Sequence, residues 1–123
     1  MEFDKISGQV IGCAIEVHRN LGPGLLESVY RQCLAFELRA KGLNCETEKT
    51  VRVTYKELAL GSDLRIDLLV EGSLVVELKS VENLLPLHEA QVLTYMKMAG
   101  ARTGLLINFN TRFVKEGIRR FVL

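Results

Sequence analysis

Three ionisable side chains stand where hydrophobic ones are expected. Asp67 interrupts LRIDLLV, and Glu77 and Lys79 interrupt SLVVELKS. Removing an unpaired charge from water costs several kcal/mol, so charges set into aliphatic runs need partners or a task. Two carboxylates brought together could hold a hard divalent cation such as Mg²⁺ through oxygen, with waters retained. An ammonium beside them could position a water or a phosphate oxygen. Such a cluster suits phosphate chemistry, in which the cation polarises the ester and acidifies bound water. A plainer reading stands next to this one. Glu-x-Lys on a strand is ordinarily a solvated edge pair, and Arg65 with Lys79 could neutralise both acids without a metal.

Whether the charges meet depends on strand register. Alternation puts Leu74, Val76 and Leu78 on one face of the second run and Val75, Glu77 and Lys79 on the other. In the first run, Ile66, Leu68 and Val70 share a face opposite Arg65, Asp67 and Leu69. A two-residue turn at Glu71-Gly72 would pair Asp67 with Val76 and send the two acids to opposite faces. A three-residue loop, Glu71-Gly72-Ser73, pairs Val70 with Leu74 and sets Asp67 across from Glu77. The second arrangement stacks both aliphatic sets on one side, so burial favours it. Opposed residues have Cβ atoms roughly 5 Å apart, where like charges repel and a counter-charge is required.

The elements that must carry these residues follow from periodicity. Residues 4–20 predict a helix capped by Asp4, with Ile6, Val10, Cys13 or Ala14, and Val17 on its apolar face. LGPG at 21–24 breaks the chain. A second helix is expected from Leu25 to about Lys41, with Leu26, Val29, Cys33, Phe36 and Ala40 inward and Gly42 as its stop. CETEKTVRVTY reads as a strand at 45–55, followed by LRIDLLV and SLVVELKS. Pro86 suits the first turn of a helix that Gly100 ends. GLLINF at 104–109 is a short apolar strand internal to the sheet. IRRFVL is either a final strand or a terminal extension. The expected class is α/β (α+β): a mixed sheet of four to five strands flanked by helices, in the order α-α-β-β-β-α-β plus a short terminal strand. Nothing in the pattern divides residues 1–123 into more than one domain.

On the third helix Gln91, Tyr95 and Met98 fall at i, i+4 and i+7 and line one stripe. A glutamine amide can hold a lysine, a water or a phosphate, and a tyrosine can stack or donate. Glu27 and Tyr30, at i and i+3, share a face in the same way. Each also has an ordinary structural role available: a glutamate at a helix start for Glu27, core packing for the tyrosines, a surface amide for Gln91. His88, one turn before Gln91, reads as surface.

Composition narrows the classes further. No apolar run reaches the ~20 residues of a membrane span, and MEFDKISG lacks the layout of a secretory signal. Three cysteines without CxxC spacing suit buried thiols in a reducing cytoplasm, and with only His18 and His88 available a structural zinc site is not expected. The net charge of +1 conceals a skew. Lys97, Arg102, Arg112, Lys115, Arg119 and Arg120 face only Glu116 after residue 96, an excess that could attract a polyanion or could be a solvated end.

The spacing of Asp67, Glu77 and Lys79 within hydrophobic strands resembles the PD-(D/E)xK nuclease signature. Ile66 stands where the signature's name has proline, a departure frequent in that superfamily. Gly24, Glu27 and Tyr30 in GLLESVY, together with ELKSVENLLPLHEAQVLTYMK and GLLINFN, resemble the small bacterial and archaeal GxxExxY proteins over nearly the whole chain. The resemblance implies a restriction-endonuclease-like core. It implies Asp67 and Glu77 as carboxylates holding Mg²⁺ or Mn²⁺, the carbonyl of Leu78 as main-chain ligand, and Lys79 as the residue orienting the attacking water. Glu27 is similar to the extra acid of the exonuclease-like branch, and Gln91 and Tyr95 to its Gln-x-x-x-Tyr motif, with Gln91 supporting Lys79 or substrate. Tyr30 and Tyr95 are then substrate-side or supporting residues. The implied activity is Mg²⁺-dependent hydrolysis of DNA, and the cysteine pattern and short apolar runs add the expectation of a cytoplasmic protein with no membrane association. Small nucleases often pair to cut two strands, which leaves room for a homodimer. The competing expectation is a nuclease-like fold that binds nucleic acid or a protein through its basic end without catalysis.

Overall fold

The computed structural model describes residues 4–123, the side chain of Ser62 excepted, so Met1, Glu2 and Phe3 of the 1–123 reading lie outside the described residues. Helix α1 spans Lys5–Leu21, and the Asp4 carboxylate caps it by accepting the Ser7 N–H at 2.8 Å. Its buried stripe runs through Val10, Cys13, Ala14 and Val17, as the spacing predicts. Helix α2 spans Glu27–Ala40. Its buried face is Tyr30, Leu34, Ala35 and Leu38, displaced from the expected stripe, and Leu26 and Phe36 stand 75% and 66% exposed. The sequence of α2 offers two apolar stripes. The chosen one lets Tyr30 lie flat on Phe109, with ring centroids 4.4 Å apart and planes 6° from parallel.

Five strands follow as one mixed sheet in sequential order: β1 (Cys45–Tyr55), β2 (Leu58–Val70), β3 (Leu74–Lys79), β4 (Thr103–Asn108) and β5 (Ile118–Val122). Only β3 and β4 run parallel, and the crossover between them carries α3 (Pro86–Ala99), which has proline in its first turn and a left-handed Gly100 at its end. The terminal IRRFVL is a strand, paired antiparallel with β4. β2 starts well before LRIDLLV, because a turn at Lys56 and Glu57 pairs Tyr55 with Leu58 and zips the hairpin from its tip. Helices α1 and α2 share one apolar cluster with Leu68, Val70, Leu74, Val76 and Leu78; α3 shares the other with Leu69, Val75 and Leu106. The charged strands are thus the middle of a three-layer arrangement.

The β2–β3 turn decides the question of register. Glu71 and Gly72 both adopt positive φ, 53° and 63°, and Ser73 N–H reaches the Val70 carbonyl at 3.1 Å. Val70 pairs with Leu74 and Leu68 with Val76, the register expected from burial of the aliphatic sets. One detail of the expected alternation fails. Ile66 packs in the α3 cluster with Leu69, not with Leu68 and Val70. The reason is local. The β1–β2 ladder skips the pair Glu48–Asp67, and Glu48 takes a left-handed backbone with φ 50°. This irregularity turns both strands over at Asp67.

Candidate active site

Asp67 sits where the sheet opens. The β2–β3 ladder ends at Leu68 and Val76, and beyond it carboxylates replace the missing rungs. Asp67 N–H donates to Glu77 Oε1 at 3.0 Å, and Leu78 N–H donates to Asp67 Oδ2 at 2.8 Å. The two acids are therefore interlocked through each other's backbone, which fixes them side by side although their charges repel. Glu77 is 4% exposed, and Asp67 keeps a fifth of its side chain open. Burial, and after it the Asp67 charge, push the Glu77 carboxyl up to about 8.

Parallel pairing with β4 sets the direction of the next polar groups. Lys79 carbonyl accepts Phe109 N–H at 2.9 Å, so Lys79 turns its backbone to β4. Leu78 turns its own toward β2, where its N–H meets Asp67 and its carbonyl leaves by the same edge. Lys79 is half-buried; its ammonium makes no hydrogen bond or ion pair among the described residues, yet is close enough to draw the Glu77 carboxyl downward. From α3, Gln91 Nε2 donates to Tyr95 Oη at 3.0 Å. Burial first, and then the charge of Glu77, push the Tyr95 phenol up, so Tyr95 borders the acid pair as a neutral hydroxyl. Gln91 thus holds Tyr95, not Lys79. Met98, the third member of that stripe, is 44% exposed.

Two expected site residues do other work. Tyr30 is fully buried: its hydroxyl donates to Gly22 carbonyl at 2.6 Å and accepts Leu25 N–H at 3.1 Å. It braces the LGPG turn and leaves no polar atom for a substrate. Glu27 Oε1 accepts Ser80 N–H at 3.3 Å, while Ser80 Oγ donates to Leu25 carbonyl at 2.6 Å. No three of His, Cys, Asp and Glu gather as a metal-ligand group among the described residues, and Glu27 anchors the segment after Lys79. His88 caps α3, its Nδ1 accepting Leu85 N–H at 3.0 Å. The basic excess of the C-terminal segment is partly consumed, since Arg120 bonds Asp4 at 2.8 Å and ties β5 to α1.

Three contributors were not singled out in the sequence. Arg31, not Arg65, approaches Asp67: one terminal nitrogen lies 3.7 Å from Asp67 Oδ1 and the other contacts Glu48. Its position four residues after Glu27, on the same helical face, is the signal that could have found it. Asn108, 2% exposed, accepts Val81 N–H at 3.1 Å and donates to Val81 carbonyl at 2.9 Å, clamping the chain two residues past Lys79. Glu48 shows no sequence signal, because it alternates as an ordinary exposed acid on β1.

The donors fit a hard divalent cation. Asp67 and Glu77 offer carboxylate oxygens and Leu78 a carbonyl oxygen, a donor set of oxygen alone, and burial with the Asp67 charge raises the Glu77 pKa because two acids stand side by side. The Arg31 contact to Asp67 is longer than a hydrogen bond and offsets the charge of the acids only in part. A family model described as the PD-(D/E)XK nuclease superfamily matches residues 4–121. No curated protein and no solved structure matches the chain.

Proposed function

The chain belongs to the PD-(D/E)XK nuclease superfamily, and from that premise we propose that it is a Mg²⁺-dependent phosphodiesterase acting on DNA. Asp67 and Glu77, with the Leu78 carbonyl, hold the ion, and Mn²⁺ substitutes for it. The bound ion supplies Lewis acidity toward the ester and lowers the pKa of water. Lys79 orients the attacking water and offsets negative charge as it develops. Tyr95, held by Gln91, faces the substrate side of the pair, and Glu27 sets the position of Lys79 through the backbone of Ser80. The finer likeness to GxxExxY proteins, through Gly24, Glu27 and Tyr30, belongs to the same proposal, as does a cytoplasmic location. No helix among the described residues is long and apolar enough to cross a membrane.

The observation that carries this reading is the interlocked pair Asp67–Glu77, set side by side against repulsion, near an ammonium, that of Lys79, with no hydrogen bond or ion pair among the described residues. A structural ion pair would have put Lys79 onto one of the acids. The test is cleavage of labelled single- and double-stranded DNA and RNA with Mg²⁺ or Mn²⁺. Wild type cuts DNA, and Lys79→Ala is slowed by a hundredfold or more while still binding Mn²⁺. Equal inertness of both chains on every substrate refutes the enzyme. Metal-independent, salt-sensitive binding that survives Asp67→Ala would instead establish the non-catalytic alternative.

A further inference from the structure

Asp67 has an acidic neighbour on each adjoining strand. Carrying the β1–β2 and β2–β3 registers through their gap sets Glu48, Asp67 and Glu77 in one row across three strands. Helix α2 answers this row with a single guanidinium. Arg31 is held unequally, 2.5 Å from Glu48 Oε1 and 3.7 Å from Asp67 Oδ1, and its side chain is 19% exposed. It also lines a cleft of about 440 Å³ with Gln32, Ala35, Arg39, Thr47 and Glu48, which leaves it space on the Glu48 side. Arg65, a second cation near Glu48, is 4.0 Å away and 70% exposed, so it does not replace Arg31 at the row.

We propose that Arg31 is the resident counter-cation of the acid row and competes with the divalent ion for Asp67, and that Glu48 sets the strength of that competition by drawing Arg31 away. A cation at Asp67 and a guanidinium within 4 Å of the same oxygen repel each other, so whatever holds Arg31 at a distance favours the metal. The irregular backbone of Glu48 has a purpose in this arrangement. By breaking the ladder opposite Asp67, it delivers its carboxylate to Arg31. The fork geometry matters too: one planar group spans both acids, which a lysine cannot do.

The inference rests on Asp67 and Glu77 holding the ion, and the experiment separates the two. Mn²⁺ binding to the metal-free full chain is followed by the electron paramagnetic resonance of free Mn²⁺, with no substrate present, in wild type, Arg31→Gln, Glu48→Gln and the double variant. Arg31→Gln binds Mn²⁺ about tenfold more tightly. Glu48→Gln binds several-fold more weakly, and the double variant matches Arg31→Gln. Mn²⁺ binding by Arg31→Gln alone supports the inference equally. If wild type binds Mn²⁺ and Arg31→Gln binds no better, the inference falls and the proposed function stands. A Glu48→Gln loss that persists without Arg31 also overturns it, since Glu48 would then act on the ion directly. Absence of binding in all four chains removes both. Should Arg31→Gln fail to fold, Arg31→Met serves on the same reasoning, since it keeps the length and removes the charge: tighter Mn²⁺ binding than wild type supports it, and unchanged affinity overturns it.

Discussion

Glu77→Gln should stabilise the metal-free protein while destroying its ability to hold metal. The side chain is 4% exposed, next to a second carboxylate, and its pKa rises from 4.5 to about 8. The sign follows directly. Between those values the folded chain keeps a proton that the unfolded chain has released, so stability falls as pH rises through the window. Below pH 4.5 the penalty is absent, and above about 8 it is complete. Each factor of ten in proton affinity is worth about 1.4 kcal/mol, which sets a ceiling of roughly 5 kcal/mol. Relaxation and water entry reduce this to on the order of 2–3 kcal/mol. At this chain length that corresponds to about 10 °C in Tm. Glutamine keeps an oxygen for the Asp67 N–H and carries no charge. Thermal unfolding in a chelator at pH 5 to 9 should show wild type and Glu77→Gln nearly level at pH 5, diverging toward pH 8 and parallel beyond. Saturating Mg²⁺ at pH 8 should raise the wild-type Tm and leave the variant unmoved. A difference that stays flat across pH would refute the reasoning, because Glu77 would then titrate as an ordinary surface acid.

Divalent metal binding at pH 7 should release close to one proton, the one that Glu77 carries, and calorimetry in buffers of different ionisation enthalpy reads it; zero release contradicts the protonated pair. Tyr30→Phe removes the partner of both Gly22 carbonyl and Leu25 N–H and should cost about 1–3 kcal/mol in urea denaturation. Mn²⁺ affinity should stay unchanged, and a binding loss without a stability loss would return Tyr30 to the site. At Gly117 an added Cβ would collide with the backbone carbonyl oxygen of Asn108, which cannot retreat without disturbing the clamp on Val81. Gly117→Ala should therefore cost about 1–3 kcal/mol and slow cleavage through displacement of Lys79; a Tm within a degree of wild type speaks against it.

Local pattern carried most of the architecture. Asp4 marks a helix end through the carboxylate that caps it, and Pro86 and Gly100 do so through their own backbone chemistry. The register of β2 and β3 was equally legible, because only one loop length buries Leu68, Val70, Leu74, Val76 and Leu78 together. That register by itself brings Asp67 to Glu77. Where a segment offered two solutions, sequence could not choose. Helix α2 has rival apolar stripes, and the selection of Tyr30 over Phe36 depends on Phe109 arriving from β4.

The candidate site divides along the same line. Asp67, Glu77 and Lys79 announce themselves, since charge within an aliphatic strand is expensive and visible in a single row of letters. Arg31, Glu48 and Asn108 do not, because each is an unremarkable polar residue until three-dimensional packing gives it a partner far along the chain. Tyr30 carries the opposite lesson: its spacing from Glu27 suggested the site, but a buried hydroxyl must spend its hydrogen bonds where donors and acceptors lie, and those are in the LGPG turn. Periodicity along the chain therefore determined the elements and the acid pair. Only the fold decided which cation answers the acids, because charge interactions act through space between residues that no local period relates.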